Sequence, residues 1–308
     1  MNKILIVGGT GFLGESCLKK LSSLNSSVSI VGRKEKIEFS EGENFKYYQL
    51  DINNPREVES FLKQGGYSHL LYVAWPPSPP HNSTDHIEFA AASIAFLKIF
   101  SCYNPGARLV FTGSIYETGV NFGSVPNNFQ NMHPKTIYGL SKKFVWDSWS
   151  ILQTDDSNIT SLCWVRLSNI YGLGDHTHKA LPSMIDCALN KKNYTLNNPN
   201  AVVDFLHITD AATGIIHALL SDYNGVINIG SGCGYLLSDV RKFIELHCEN
   251  DGIKISKIQS FLNSEFGSVL DISTASSMLG YSPSIAIENG VTECIEFLRN
   301  KVTAYANN

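Results

Sequence analysis

The sequence predicts an α/β protein, a doubly wound parallel sheet with a smaller C-terminal lobe. Three observations carry this reading. Through the first half, short β-branched apolar runs alternate with longer stretches of helical period, as parallel strands joined by crossover helices require. A glycine-rich turn directly follows the first run. Beyond Asn169 the strict alternation gives way to shorter elements. Residues 1–168 are therefore read as the sheet domain, with later elements near 202–232 interleaved, and residues 169–308 mainly as the lobe.

Strands are expected at Lys3 to Val7, Val28 to Val31, Phe45 to Leu50, His69 to Ala74, Arg108 to Thr112 and Ser161 to Val165, each rich in residues that suit a pleated surface. Between them, Phe12, Leu13, Cys17, Leu18 and Leu21 form one helical stripe. Ser83 to Tyr103 carries another through Ile87, Ala90, Ala91, Ile94, Leu97 and Ile99. Trp75 to Pro80 holds four prolines, which remove donors and fix φ, so it is read as a stiff loop at the carboxyl end of the fourth strand. In the lobe, shorter elements are expected around Leu181 to Leu189, Val202 to Phe205, Val226 to Ile229 and Leu236 to His247.

Hydrophobic residues make up 43% and charged residues 17% of the 308 positions, without charge blocks, so an ordered chain with a full core is expected. The net charge of -4 and the scattered basic residues exclude an electrostatic footprint for nucleic acid. The apolar start, Ile4 to Val7, is too short for a signal peptide or a membrane span, and no membrane partner is expected. Seven widely spaced cysteines without a C-x-x-C pair suit reduced thiols packed as small apolar side chains in a cytoplasmic protein, not a metal site.

The turn Gly8-Gly9-Thr10-Gly11-Phe12-Leu13-Gly14 matches G-x-x-G-x-x-G at the first strand-to-helix junction. Glycines there let a pyrophosphate approach the free N–H groups and positive dipole end of a helix. The second strand ends in Arg33-Lys34 where NAD binders carry an acidic residue for the ribose hydroxyls. A guanidinium pairs well with a 2'-phosphate, so NADP(H) is preferred as cofactor and NAD(H) stays open. Asp51-Ile52, closing the third strand, is read as a contact to the adenine edge, with Asp51 as a helix cap before Pro55 the alternative. Ala74, ending the fourth strand, is counted among the cofactor contacts.

Tyr138 and Lys142 are four residues apart and so share a helix face. A neighbouring ammonium is expected to lower the phenol's pKa and ready it for proton exchange. Ser114, just past the fifth strand, is placed to hold the same substrate oxygen. Trp75 is read as a residue that stacks on the substrate or packs its loop. His176 and His178 sit in a loop facing the substrate, without the third ligand that a metal would need. His133 is read as a loop residue, and Trp146 and Trp149 as core or dimer interface.

Taken together, the glycine turn, Asp51-Ile52, Arg108-Leu-Val-Phe-Thr-Gly-Ser114, Tyr138-Gly-Leu-Ser-Lys142, Val165-Arg-Leu-Ser-Asn169-Ile-Tyr-Gly172, Asp204-Phe-Leu-His207 and Asn228-Ile-Gly-Ser-Gly232 resemble the extended short-chain dehydrogenases/reductases of the NAD-dependent epimerase/dehydratase group. The resemblance spans nearly the whole chain. It implies a Rossmann-type fold with a substrate-binding lobe, a nucleotide-diphosphate sugar as substrate, and a homodimer through the helices containing Ser83 to Tyr103 and Tyr138 to Leu152. It makes Ser114 the polarising hydroxyl and Tyr138 the proton donor. Lys142 would hold the nicotinamide ribose, and Asn169 would contact the diphosphate.

Departures from the pattern sort the reactions. Val203 stands where similar proteins often carry an arginine for the diphosphate. Ile115 and Tyr116 replace the acidic pair that 4,6-dehydratases use, and Tyr116 replaces the cysteine of the double epimerases. A reductase draws on cellular NADPH at every turnover, whereas a 4-epimerase keeps its NAD, so Arg33 and Lys34 tilt the expectation toward an NADPH-dependent reductase of a nucleotide-linked 4-keto-6-deoxyhexose. The alternatives are an NAD-dependent 4-epimerase and a protein that binds NADP(H) without turnover.

Overall fold

The computed structural model describes residues 2–35, 44–76, 80–119, 123–130, 132–155, 158, 161–249, 260–261 and 267–306. Seven strands, β1 (Asn2–Val7), β2 (Ser26–Gly32), β3 (Phe45–Gln49), β4 (His69–Tyr72), β5 (Arg108–Ser114), β6 (Ser161–Leu167) and β7 (Gly225–Ile229), form one sheet in the order β7-β6-β5-β4-β1-β2-β3. Every neighbouring pair is parallel. The helices are α1 (Phe12–Leu21), α2 (Pro55–Leu62), α3 (Asp85–Tyr103), α4 (Ile137–Asp155), α5 (Ala180–Leu189), α6 (Ile208–Leu220), α7 (Leu237–Glu249), α8 (Ser273–Leu279) and α9 (Ile287–Ala306).

A central strand covered on both faces must be apolar at consecutive positions, and β1 meets that demand. Ile4 and Ile6 pack with Leu18, Leu21, Ala211 and Ile215 under α1 and α6. Leu5 and Val7 point the other way, toward Val58, Phe96, Phe100 and Trp149 under α2, α3 and α4. α3 has the length and mean hydropathy (1.2) of a helix that crosses a membrane, yet Phe96, Leu97 and Phe100 are buried against the sheet whose β4 and β5 it connects.

The strand order reverses between β1 and β4, so the crevice where such sheets bind ligands opens at their carboxyl ends. Beyond β6 the lobe gathers α5, α7 and α9 around Leu181, Ile185, Val240, Ile244, Val291 and Ile295. A mixed sheet beside them runs in the order Ser260–Phe261, Gly234–Leu236, Val202–Val203, Gly267–Leu270 and Gly123–Val125. A parallel pair, Asn169–Tyr171 with Phe205–His207, completes it.

Several expectations need adjustment. Val226 to Ile229 belongs to the main sheet as its seventh strand, and Val202 to Phe205 is broken at Asp204 between two sheets. The fourth strand ends at Tyr72, so Val73 to Pro76 is irregular backbone, as is Pro80, while 77–79 of the proline-rich loop lie outside the described residues. All seven cysteines are free, but only Cys17, Cys163 and Cys294 are buried and Cys102 is exposed, which corrects the reading of uniformly packed thiols. Trp149 is buried, and Trp146 packs on Phe129 and Trp164, which makes both core residues.

Candidate active site

The glycine turn between β1 and α1 is shaped by backbone crowding. Gly8 has φ +88, and a Cβ there would lie 2.6 Å from the Ala74 main chain. A Cβ on Gly14 would lie 2.1 Å from the Gly8 carbonyl oxygen. Only hydrogen fits at either position. No side chain caps α1 at Gly11, so the amides of Phe12 and Leu13 in its first turn remain available to an anion. Thr10 Oγ1 faces Gly32 at the end of β2. These features form a backbone cradle that fits a dinucleotide pyrophosphate.

Arg33 and Lys34 follow β2 and are exposed. Arg33 lines a cavity of about 470 Å³ with Gln49, Asp51 and Glu57. Asp51 Oδ1 accepts from Asn53 N (3.0 Å) and Nδ2 (2.9 Å), and α2 is capped by Asn54, whose side chain accepts from Glu57 N–H. The alternative of Asp51 as the cap is thereby corrected. Ile52, beside it, is buried.

Catalytic candidates gather where β5 ends. Its seven residues are all buried, and at Ser114 the chain turns into a short 3-10 helix, Ile115–Thr118. Ser114 Oγ accepts from Tyr116 N–H (3.3 Å), and its hydroxyl acts on the Tyr138 phenol by favouring the ionised form. α4 starts beside it because the segment after β4 takes two of its first N–H groups and Thr136 takes a third. Ile137 N–H donates to Asn82 Oδ1 (3.2 Å), Tyr138 N–H to the His81 carbonyl (2.8 Å) and Gly139 N–H to Thr136 Oγ1 (3.1 Å). One turn further, Lys142 Nζ donates to the Thr112 carbonyl (2.7 Å).

An aromatic cage surrounds the phenol. The rings of His81 (5.4 Å, stacked), His86 (5.2 Å), Tyr116 (5.8 Å) and Trp75 (5.9 Å) all approach the Tyr138 ring. Trp75 Nε1 donates to His86 Nδ1 (3.1 Å), and His86 Nε2 donates to the Pro80 carbonyl (3.1 Å), which fixes a neutral imidazole. Burial lowers the pKa of both His86 and His81.

The expected electrostatics of the pair are reversed. Tyr138 is raised above the ordinary phenol range by burial, with the Ser114 hydroxyl opposing and the charge of Glu117 adding. Lys142 is buried and falls to about 7, because its ammonium has left water. Sharing a helix face does not aim Lys142 at the phenol oxygen; it reaches past to the strand. Burial thus keeps Tyr138 protonated at neutral pH.

The structure brings together Ser114, Tyr138, Lys142 and Trp75, and Ala74 joins them to Gly8. Asn169 lies on a lobe strand, its N–H on the Asp204 carbonyl (3.0 Å). His176 stacks on His178 (5.5 Å) in a loop adjoining the glycine turn, where Lys179 Nζ is 5.4 Å from the Phe12 ring. Val203, in place of an arginine, pairs with Tyr235 in the lobe sheet. Sequence reasoning missed His81, His86 and Glu117. The one available signal was Asp85-His86 at the start of an apolar helix directly after the proline-rich loop.

Comparison with known proteins identifies the family and agrees with the fold. The model of the NAD dependent epimerase/dehydratase family matches residues 4–230. The dTDP-4-dehydro-6-deoxyglucose reductase of Escherichia coli is 24% identical, covering 97% of this chain and 98% of its own length. UDP-glucuronic acid decarboxylase 1 of Xenopus tropicalis is 22% identical over 99% of this chain and 74% of its own. Among solved structures, UDP-glucose 4-epimerase of Thermotoga maritima, with UDP-glucose, superimposes with a TM-score of 0.79 at 19% identity, covering 97% of this chain and 99% of that one. With the matched residues running from β1 to the end of β7, the chain belongs to the NAD dependent epimerase/dehydratase family.

Proposed function

We propose that the protein is an NADPH-dependent reductase of a nucleotide-activated 4-keto-6-deoxyhexose. The observation that carries this reading is the gathering of Tyr138, Lys142 and Trp75 at the end of β5 with Ser114, beside the glycine cradle that Ala74 closes against Gly8, on a phenol that burial keeps protonated. A protonated phenol is ready to give a proton, the direction that ketone reduction needs.

The cradle from Gly8 to Gly14 would hold the pyrophosphate, Ile52 and Asp51 the adenine edge, and Lys142 the nicotinamide ribose. When bound, the reduced nicotinamide supplies a hydride to the keto carbon. Ser114 then orients the keto oxygen through its hydroxyl. Tyr138 delivers its proton to that oxygen as charge develops there, and Lys142 offsets the phenolate left behind. Trp75, Asn169 and His176 are assigned to the sugar nucleotide, which reaches the site from the lobe side. The similarity to the Escherichia coli dTDP-4-dehydro-6-deoxyglucose reductase, end to end on both chains, supports the substrate class.

A preference for NADPH rests on Arg33 and Lys34. Homodimerisation is proposed through α3 and α4, where Ile87, Leu140, Phe144 and Ile151 are exposed apolar side chains. A cytoplasmic location is part of the same reading and suits free thiols.

A second reading, an NAD-dependent 4-epimerase, draws on Asp51 and Glu57 beside Arg33, since carboxylates accept ribose hydroxyls and repel a 2'-phosphate. Incubating the purified protein with NADPH and a panel of nucleotide 4-keto-6-deoxy sugars separates the two. Loss of the reduced-nicotinamide absorbance supports the reductase. Interconversion of nucleotide hexoses with copurifying NAD overturns it in favour of the epimerase.

A further inference from the structure

Beneath Ser114 lies a charged pair that the proposed chemistry has not yet used. Glu117 and Arg166 are both fully buried. Glu117 Oε1 accepts from the Ser114 main-chain N–H at 2.6 Å, while Oε2 accepts from Trp164 Nε1 at 3.0 Å and Arg166 Nε at 3.4 Å. Arg166 is fixed in turn by the carbonyls of Pro126 (3.3 Å) and Asn128 (3.0 Å), by Asn228 Oδ1 (3.0 Å), and by the Phe129 ring 4.4 Å away. The backbone makes room for this contact. A Cβ on Gly113 would lie 2.1 Å from Trp164 Nε1 and 2.5 Å from Glu117 Oε1.

Burying an ion pair is costly and seldom adds net stability, so its presence under a reacting hydroxyl calls for another explanation. Burial raises the pKa of Glu117, but both its oxygens face donors and neither faces an acceptor for a carboxyl proton, so the group is ionised. We infer that Glu117 is a positioning residue: its carboxylate pins the Ser114 main chain at the end of β5 and sets a fixed negative charge toward the Lys142 ammonium. This inference rests on the reductase reading for the roles of Ser114 and Lys142.

The groups around Lys142 leave that task to Glu117. From β5 comes the Thr112 carbonyl, from the segment after β4 the Trp75 ring, and from α3 the neutral His86. Its own helix contributes the protonated Tyr138. Arg166 on β6 lies beyond Glu117 and is engaged by it. Glu117 Oε1 sits on the Ser114 N–H and Lys142 Nζ on the Thr112 carbonyl, two residues apart at the end of β5, and the Glu117 charge opposes the loss of the Lys142 proton on burial.

Glu117→Gln keeps the shape and removes the charge, and it sets an amide N–H₂ against the Trp164 and Arg166 donors. Two measurements decide. The first follows Lys142 directly in 15N-lysine-labelled protein over a pH series, with Lys142→Met to assign the signal; it needs no substrate. The expected result is a titration midpoint lower than wild type by about one pH unit. The second is turnover with NADPH and a nucleotide 4-keto-6-deoxy sugar, where kcat falls about tenfold or more while KM for NADPH stays within about threefold.

Glu117→Asp retains the charge on a shorter reach and serves if the glutamine variant does not fold. In it the Lys142 midpoint stays near wild type while kcat still drops. An unchanged midpoint and unchanged kcat in Glu117→Gln, or unchanged kcat in Glu117→Asp, overturns the inference. If wild type reduces no such sugar, the reductase reading fails on that assay alone, and the lysine titration still decides the charge that Glu117 supplies.

Discussion

The Lys142 ammonium stands 3.9 Å from the centre of the Trp75 ring, held by an aromatic face and a main-chain oxygen and not by a paired carboxylate. Cation–π contact offsets only part of what is lost on leaving water. Lys142 titrates near 7 when folded against 10.5 for the free side chain, so between those values the unfolded chain holds one proton more and stability rises with pH. Lys142→Met, free of this penalty, should therefore exceed wild type most below pH 7, with the gap closing as pH climbs toward 10.5. Melting temperatures of both proteins across that range check it, and a gap independent of pH assigns the titration elsewhere.

Tyr138→Phe removes the proposed proton donor and leaves the ring cage in place. Turnover should fall by about a hundredfold or more, the usual worth of a positioned general acid. NADPH binding, followed by its fluorescence, should stay within about threefold, because the glycine cradle is untouched. Unchanged turnover would remove Tyr138 from its role.

Arg33 has an exposed guanidinium above a cavity that also carries Asp51 and Glu57. Replacing it with Ala should lower kcat/KM for NADPH relative to NADH by about tenfold to a hundredfold, the worth of a charge-assisted pair of about 1.5–3 kcal/mol. An unaltered NADPH/NADH ratio means that Arg33 does not read the 2'-position.

Gly14→Ala places a methyl against a carbonyl oxygen that belongs to the same turn, with backbone on both sides of the conflict. The turn must open, at a cost of about 1–3 kcal/mol in stability. Dinucleotide affinity should be lost together with that stability. A variant that melts and binds like wild type would show that the cradle tolerates a side chain.

Phe144→Glu tests association. The residue is 51% exposed on α4, in line with Leu140 and Ile151. In the proposed dimer a carboxylate on this apolar face is buried without a partner, so sedimentation should shift from dimer to monomer with little loss of melting temperature. If wild type already sediments as a monomer, the proposed dimer is excluded.

The sequence made the sheet legible because a strand covered on both faces writes its burial as an uninterrupted apolar run, as Ile4 to Val7 does. It also made the cradle legible, since crowding at Gly8 and Gly14 excludes any side chain. The cage was not legible. His81 and His86 reach Tyr138 across more than fifty residues, through a helix start whose N–H groups bond to the segment after β4. Glu117 belongs to no motif in the sequence, and only the partners from β5 and β6 reveal its burial. The direction of the Tyr138 shift depended on desolvation, which helical spacing does not encode.

β7 comes from residues 225–229 and sits next to β6, which ends at Leu167, so the chain between them departs into the lobe and returns to the sheet through α6. The lobe is thus stitched into the sheet and not appended to it. A chimera that exchanged everything after residue 168 would strip the last strand and bare the hydrogen-bonding edge of β6, inviting strand-to-strand association. Grafting a different sugar pocket onto this scaffold requires replacing segments on both sides of the last strand, with Ile208–Leu220 and Gly225–Ile229 retained.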